Sequence, residues 1–431
     1  MGMTVAEKIL ARASGRDSVA AGDVVEPHVD LAMSHENAAL VINQFREIYD
    51  GTRLEPQVWD PERIAIIFDH RVPAEGAKTA TNQKRIREFV AKQGIAKFHD
   101  IRADQGGICH QILPESGYVL PGMVVVGTDS HTTTHGALGA FAFGIGATEM
   151  ASTWALGTAL NVEVPATIKV VLRGALPEFV SAKDLILHLI GRLSAEGANF
   201  KVLEFHGDAI DNMPTSGRLV LCNMSVEAGA TAGIVPADDQ TVHYLRNVAN
   251  YHGGIDLVQP DPDAAYCETI EIDCSQLTYQ VACPHTVDNV KTIDTVEGTK
   301  IDQIVVGSCT NGRADDLATA ASILRGQRIA DGVRMLVFPA SWRIYKESIA
   351  NGVISDLVSA GAIVMNPGCG CCLGVHQGAL GDGETALSTT NRNFLGRMGN
   401  AKAQVYLCSP AVAAASALTG RISRPQRSLE V

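Results

Sequence analysis

No stretch of this 431-residue chain is apolar for long enough to cross a membrane. The longest apolar stretch, residues 136–147, is Gly-rich and runs into Thr148 and Glu149, and it is read as a buried helix. The first fifteen residues hold neither an apolar core segment nor a cleavage-like site, which argues against a secretory leader. Basic charge is in deficit: 35 Lys and Arg stand against 47 Asp and Glu, a net charge of −12. Such a surface repels phosphate backbones and disfavours nucleic-acid binding. The ten cysteines are not laid out as the short, regular framework of a secreted scaffold. Internal repeats and low-complexity segments are also absent. These absences predict a soluble, reduced, cytoplasmic protein.

What the chain does have is size and a recurring pattern. At 431 residues and 46% hydrophobic composition, it calls for two to four α/β-sized domains. Short apolar runs repeatedly end in reactive polar residues. Residues 64–68 lead to Asp69 and His70, and 123–126 lead to Asp129, Ser130 and His131. Residues 301–306 lead to Ser308, Cys309, Thr310 and Asn311, and then a helix is expected over 314–324. Residues 362–365 lead to a cysteine cluster, and 405–407 to Cys408, Ser409, Pro410 and an Ala-rich helix. Continuous apolar strands alternating with helices imply parallel sheets covered on both faces, with ligands at the carboxyl ends of strands. The fold class is therefore α/β, with more than one sheet. Breaks are placed near 162 and 285, dividing the chain into 1–162, 163–285 and 286–431.

Three cysteines crowd into Cys369-Gly370-Cys371-Cys372, after the turn-forming Asn366-Pro367-Gly368. A C-x-x-C loop can aim two thiolates at one centre. Cys309 ends a different strand, which a parallel sheet can bring alongside. Three thiolates suit a soft metal centre, and a three-thiolate cubane leaves one iron open as a Lewis acid. Zinc would want a second paired motif, and a redox dithiol would sit early in a thioredoxin-like unit. From spacing alone, iron–sulfur, zinc and inert readings all stand. Cys222, Cys267, Cys274 and Cys283 are read as inert.

Around these residues the chain resembles the aconitase superfamily, in particular its two-subunit branch of 3-isopropylmalate dehydratase and homoaconitase large subunits. The resemblance covers nearly the whole chain. It rests on Phe68-Asp69-His70, residues 107–111 ending in His110-Gln111, residues 127–132 around Asp129-Ser130-His131, residues 223–227, residues 307–311, residues 367–372 and residues 391–397. It implies three α/β/α domains with mostly parallel sheets around a [4Fe–4S] cluster. The cluster would be held by Cys309, Cys369 and Cys372 with one iron open, the family pattern preferring Cys372 to Cys371.

The resemblance also assigns roles. Asp69 and His70 would protonate the departing hydroxyl, a task suited to a histidinium held by a carboxylate. Asp129 with His110 and Glu227 with His131 would form two further carboxylate–imidazole pairs, each carboxylate fixing a ring tautomer. Ser130 would donate to a substrate carboxylate, and Asn223 and Asn311 would attend the cluster and its water. Arg392 and Arg397 would grip substrate carboxylates, bidentate contact being natural for guanidinium; outside the motif both would read as solvated surface residues. Arg71 and the His35-Glu36 pair are weaker candidates. His28, His99, His188, His206, His243, His252, His285 and His376 read as ordinary core or surface residues, and His135 is left unassigned.

Single-chain aconitases continue into a fourth, mobile domain that supplies a serine base and an arginine. No further α/β unit is found here to carry them, and Gly312 stands where aconitases proper have serine. The resemblance thus implies a separate small subunit in a hetero-oligomer, with no membrane or nucleic-acid partner. The expected activity is a hydro-lyase acting on a small di- or tricarboxylate. The first choice is interconversion of 2- and 3-isopropylmalate in leucine biosynthesis, with homoaconitase and methyl- or dimethylmalate dehydratases as alternatives. A cluster-free RNA-binding or regulatory protein and a zinc hydratase are the readings from other classes.

Overall fold

The computed structural model describes residues 2–426. Three main sheets form its frame. The first has five parallel strands in the spatial order Lys97–His99, Ile64–Ile67, Leu31–Ser34, Val124–Gly127 and Phe141–Gly144. The second has four parallel strands, Ala232–Ile234, Lys201–His206, Ala166–Arg173 and Glu268–Asp273. The third has seven: Val290–Thr292, Gln280–Ala282, Gln404–Leu407, Thr385–Ser388, Gln303–Gly307, Arg334–Phe338 and Ile363–Val364. Its first three strands pair antiparallel and the remainder parallel.

The central strands Ile64–Ile67, Val124–Gly127 and Gln303–Gly307 are buried at every position. Their unbroken apolar runs can therefore cover both faces of a parallel sheet. The helix Ala314–Leu324 has the expected bounds. The Ala-rich helix Pro410–Thr419 starts with proline at its first turn and stops at Gly420, at φ +68°. It packs on Ala314–Leu324 against the third sheet.

One expectation needs correcting. Residues 136–147 are not a buried helix. Short 3-10 turns run to Leu138, Gly139 takes φ +76°, and Phe141–Gly144 is an edge strand of the first sheet. The run is buried through Phe143, but Phe-Ala-Phe after a left-handed glycine extends along a strand, Gly144 and Gly146 are exposed, and helix begins only at Ala147. Gln280–Ala282 belongs to the third sheet, so that sheet starts before residue 285.

Close backbone approach joins the sheets. The 3-10 segment Ser130–Leu138 lies on the second sheet, where Val235 N donates to Gly136 O at 3.0 Å. A Cβ on Gly136 would sit 1.7 Å from Gly233 O, so only glycine fits. Among the described residues, no helix is long and apolar enough to cross a membrane.

Candidate active site

The carboxyl ends of strands from the first and third sheets face one narrow cavity. It is lined by His70, Ile108, His110, Asp129, His131, Cys309, Cys369, Cys372, Leu373, Asn391, Arg392 and Arg397. Asp69 and His70 follow the strand Ile64–Ile67, and Asp129 follows Val124–Gly127. Cys309 follows Gln303–Gly307 through a sharp turn. Gly307 has φ +132°, and Ser308 holds a left-handed φ of +72°. A non-glycine residue there carries about 1–3 kcal/mol of strain, which the surrounding packing must offset. A Cβ on Gly307 would lie 2.2 Å from Phe338 O, so the turn can pass only as glycine. The cysteine loop is fastened to the opposite wall: Cys369 N donates to Asp69 O at 2.8 Å, and Asn366 Nδ2 donates to Val72 O at 2.8 Å.

Three carboxylate–imidazole pairs line the wall across from the thiols. His70 Nδ1 lies 2.6 Å from Asp69 Oδ1, whose second oxygen accepts from Cys109 N at 2.7 Å. His110 Nε2 lies 2.9 Å from Asp129 Oδ1, and His131 N donates to that oxygen at 2.8 Å. His131 Nε2 lies 2.7 Å from Glu227 Oε1, which also accepts from Arg392 Nε at 2.8 Å. Asp129 Oδ2 is 3.5 Å from His70 Nε2, so the first two pairs touch.

Burial opposes every charge here, yet the partners prevail. On His70, Asp69 and Asp129 outweigh burial and hold the imidazolium well above its usual range. On His131, Asp129 and Glu227 also outweigh burial and raise the imidazole above its usual range. Asp69, despite complete burial, is pulled down to about 2 by His70, and Asp129 is held well below its usual range by His110, His131 and His70. The wall therefore combines retained protons with fixed anions.

The three thiols are buried, and donors face Cys309 and Cys372. Asn223 Nδ2 and Asn391 Nδ2 each lie 3.3 Å from Cys309 Sγ. Arg397 Nη2 lies 3.4 Å from Cys372 Sγ. Burial and the neighbouring Cys372 push the Cys309 thiol up to about 11, while contact with Cys369 and then Arg397 holds Cys372 well below the ordinary thiol range. Donors aimed at buried sulfur suit anionic thiolate ligands. Among the described residues, no fourth thiol lines the cavity; three imidazoles and the Asp129 carboxylate occupy the other side. This donor set fits an iron–sulfur cluster with one exposed corner.

Not every expected residue meets there. Ser130 lines a separate cavity with Thr128, Gly144 and Val226. Asn311 Nδ2 donates to Asp316 Oδ1 at 2.9 Å, and its own oxygen is buried without a partner among the described residues. Cys371 is buried but lies outside the cavity lining. His35 stacks on His70 with ring centroids 4.0 Å apart. Glu36 accepts from the His70 and Arg71 backbone amides at 3.1 and 2.8 Å, which fixes the His70 loop. His35, Glu36, Asp69 and His70 also bring four ligand atoms within 4.8 Å of one another, but the two carboxylates already serve backbone amides.

Two residues were missed. Asn391 touches Cys309, and its oxygen lies 3.7 Å from both Cys309 Sγ and Cys372 Sγ. Its place beside Arg392 in the 391–397 motif was the available signal. Lys183 is fully buried and donates to Thr389 O and Thr390 O at 2.8 and 2.6 Å. A lysine in the first turn of an amphipathic helix carried no such signal.

Residues 7–299 and 291–420 match the family model described as the aconitase family (aconitate hydratase). The chain is 52% identical over 426 residues to the "Probable 3-isopropylmalate dehydratase large subunit" of Methanothermobacter thermautotrophicus, covering 99% of each. It is 48% identical to the "Probable methanogen homoaconitase large subunit" of the same organism, covering 99% of this chain and 98% of that one. To the "3-isopropylmalate dehydratase large subunit" of Moorella thermoacetica it is 45% identical, covering 99% of each. The chain belongs to the aconitase family. Membership implies a [4Fe–4S] cluster and hydro-lyase chemistry.

Proposed function

We propose that the chain is the large subunit of a two-subunit [4Fe–4S] hydro-lyase that interconverts 2- and 3-isopropylmalate. The carrying observation is one cavity with three buried thiols on one wall and three carboxylate–imidazole pairs on the other. Full-length identity of 52% to a relative named as a 3-isopropylmalate dehydratase large subunit supports the substrate. Homoaconitase chemistry is the second reading, favoured by the 48% relative of that name.

In this reading Cys309, Cys369 and Cys372 hold the cluster. When bound, it supplies a Lewis-acidic corner for the substrate's hydroxyl and a carboxylate. The chain's residues do the rest. His70, held charged by Asp69 and Asp129, gives its Nε2 proton to the departing hydroxyl, which leaves as water. Asp129 keeps His110 and His131 oriented, and Glu227 fixes His131 from the far side. Arg392 and Arg397 offer guanidinium groups to substrate carboxylates, Arg392 held by Glu227. Asn223 and Asn391 donate to the Cys309 sulfur, and the Arg397 guanidinium offsets charge on Cys372. Ser130 and Asn311 keep their expected roles only if loading of the site turns them inward. The base that takes the proton from the adjacent carbon comes from the small subunit, whose presence the relatives' "large subunit" names support. The same reading divides the chain into three units. Their sheets draw on residues 31–144, 166–273 and 280–407, so the breaks fall near 162 and just before 280.

The test is anaerobic purification with the small subunit, iron analysis, and assay with 2-isopropylmalate and homocitrate-type acids. Iron together with turnover of 2-isopropylmalate upholds the reading. Iron with turnover of the longer tricarboxylates alone moves it to the homoaconitase branch. Absence of iron and of the broad cluster absorbance overturns it.

A further inference from the structure

His135 has no part in the reading above, yet it is among the most enclosed titratable groups in the molecule. It lies in the 3-10 segment Ser130–Leu138 and is completely buried. Its Nε2 is 3.5 Å from His110 Nδ1, with ring centroids 5.4 Å apart. Its Nδ1 is buried and has no partner among the described residues.

Those two atoms settle where the protons sit. His110 Nε2 faces the Asp129 carboxylate at 2.9 Å and must donate to it. That leaves His110 Nδ1 facing His135 Nε2. If His110 donated from Nδ1 as well, His135 would carry its proton on Nδ1, a buried N–H with no acceptor, which is strongly disfavoured. If instead His135 carries its proton on Nε2, it donates to the lone pair of His110 Nδ1. Its own Nδ1 then holds only a lone pair, which is cheaper to leave unpaired. Burial holds His135 well below its usual range, which agrees with a neutral ring.

We propose that His135 is a positioning residue that locks His110 into the neutral tautomer bearing its proton on Nε2, and so keeps His110 bound to Asp129. The inference rests on the reading that Asp129 and His110 belong to the catalytic set. Its consequence is specific. Asp129 is shared by His110, His131 and His70. Were His110 free to take the other tautomer, Asp129 would lose one donor and the ordering of the whole wall would loosen.

The test uses the cluster-loaded two-subunit enzyme with His135→Leu, His135→Asn and His135→Gln, plus His110→Ala. A glutamine amide reaches the position of Nε2 and can donate to His110, whereas an asparagine amide reaches only the position of Nδ1. His135→Leu and His135→Asn should lower kcat about 10- to 100-fold, as loss of a partner behind a functional imidazole does. KM should change little, because His135 does not line the cavity. His135→Gln should recover most of the loss. Iron content is measured on each variant. If leucine is not tolerated by the core, the comparison of Asn with Gln decides alone. Equal impairment of Asn and Gln at full iron content, or wild-type kcat in Leu, overturns the inference. If His110→Ala itself keeps wild-type kcat, it is the underlying catalytic reading that fails. Impairment of His110→Ala with an unaffected His135→Leu condemns the positioning role only.

Discussion

At the residue scale, Asp69 has both carboxylate oxygens committed, one to His70 and one to the Cys109 amide. It cannot turn away, so His70 keeps its ring orientation and its charge. Asp69→Asn should therefore lower kcat by about 10²–10⁴-fold, the usual worth of a positioned acid, while iron content stays unchanged. The pH profile provides an independent check. In the native enzyme His70 is held charged well above its ordinary range, so kcat should not fall across about pH 6 to 8 on its account. Removing the Asp69 charge lowers that value and should bring the alkaline fall of kcat into this window. The cysteines allow a sharper comparison. Cys372→Ser should lose iron and broad visible absorbance, whereas Cys371→Ser should keep both, because only Cys372 reaches the cavity. Loss of iron in both variants would return Cys371 to the ligand set. Spacing left Cys371 open because two neighbouring residues on a tight loop differ only in direction, and direction is not written in a C-G-C-C string.

At the element scale, strand ends were legible and junctions were not. The continuous apolar runs before Asp69, Asp129 and Cys309 identified buried parallel strands, since few other environments accept unbroken Val and Ile. The same logic misread residues 136–147, because a short apolar run has no period that distinguishes helix from strand. Gly139 and the paired phenylalanines decided for strand once a neighbouring strand, Val124–Gly127, was there to pair with. Gly136 belongs to the same junction, with a prospective Cβ 1.7 Å from Gly233 O. Gly136→Ala should force the backbones apart and cost about 1–3 kcal/mol, read as a thermal midpoint lower by a few degrees. An unchanged midpoint would mean that the junction relaxes freely. Lys183 shows why some partners stay hidden. Its helix carries the usual alternation of charge and apolarity, and only the fold turns this lysine inward onto the Thr389 and Thr390 carbonyls. Burial pulls its pKa down to about 8.

At the scale of the whole molecule, the two walls of the site come from the first and third sheets, with Glu227 and Asn223 contributed beside the second. A site assembled at such a meeting place needs all three sheets seated before it can hold iron. The chain alone should accordingly bind iron and show the cluster absorbance, yet turn over 2-isopropylmalate only when the small subunit is added. Turnover by the isolated chain at a rate comparable with the pair would show that the base lies within these residues. A filter-binding measurement with RNA at moderate salt should find no salt-dependent retention, given a net charge of −12.

The sequence alone determined the chemistry-bearing residue types, their order, and the strands that carry them, because apolar runs and short motifs are local and survive without a fold. It paired Asp69 with His70 by adjacency, and His110 with Asp129 and His131 with Glu227 by family likeness. Tertiary structure alone decided that Asn391 bridges two cysteines, that Ser130 and Asn311 lie apart from the cavity, that Lys183 is buried, and that His135 stands behind His110. Each of those depends on the direction of a side chain or on a contact between segments tens to hundreds of residues apart, and such facts exist only once the sheets have packed.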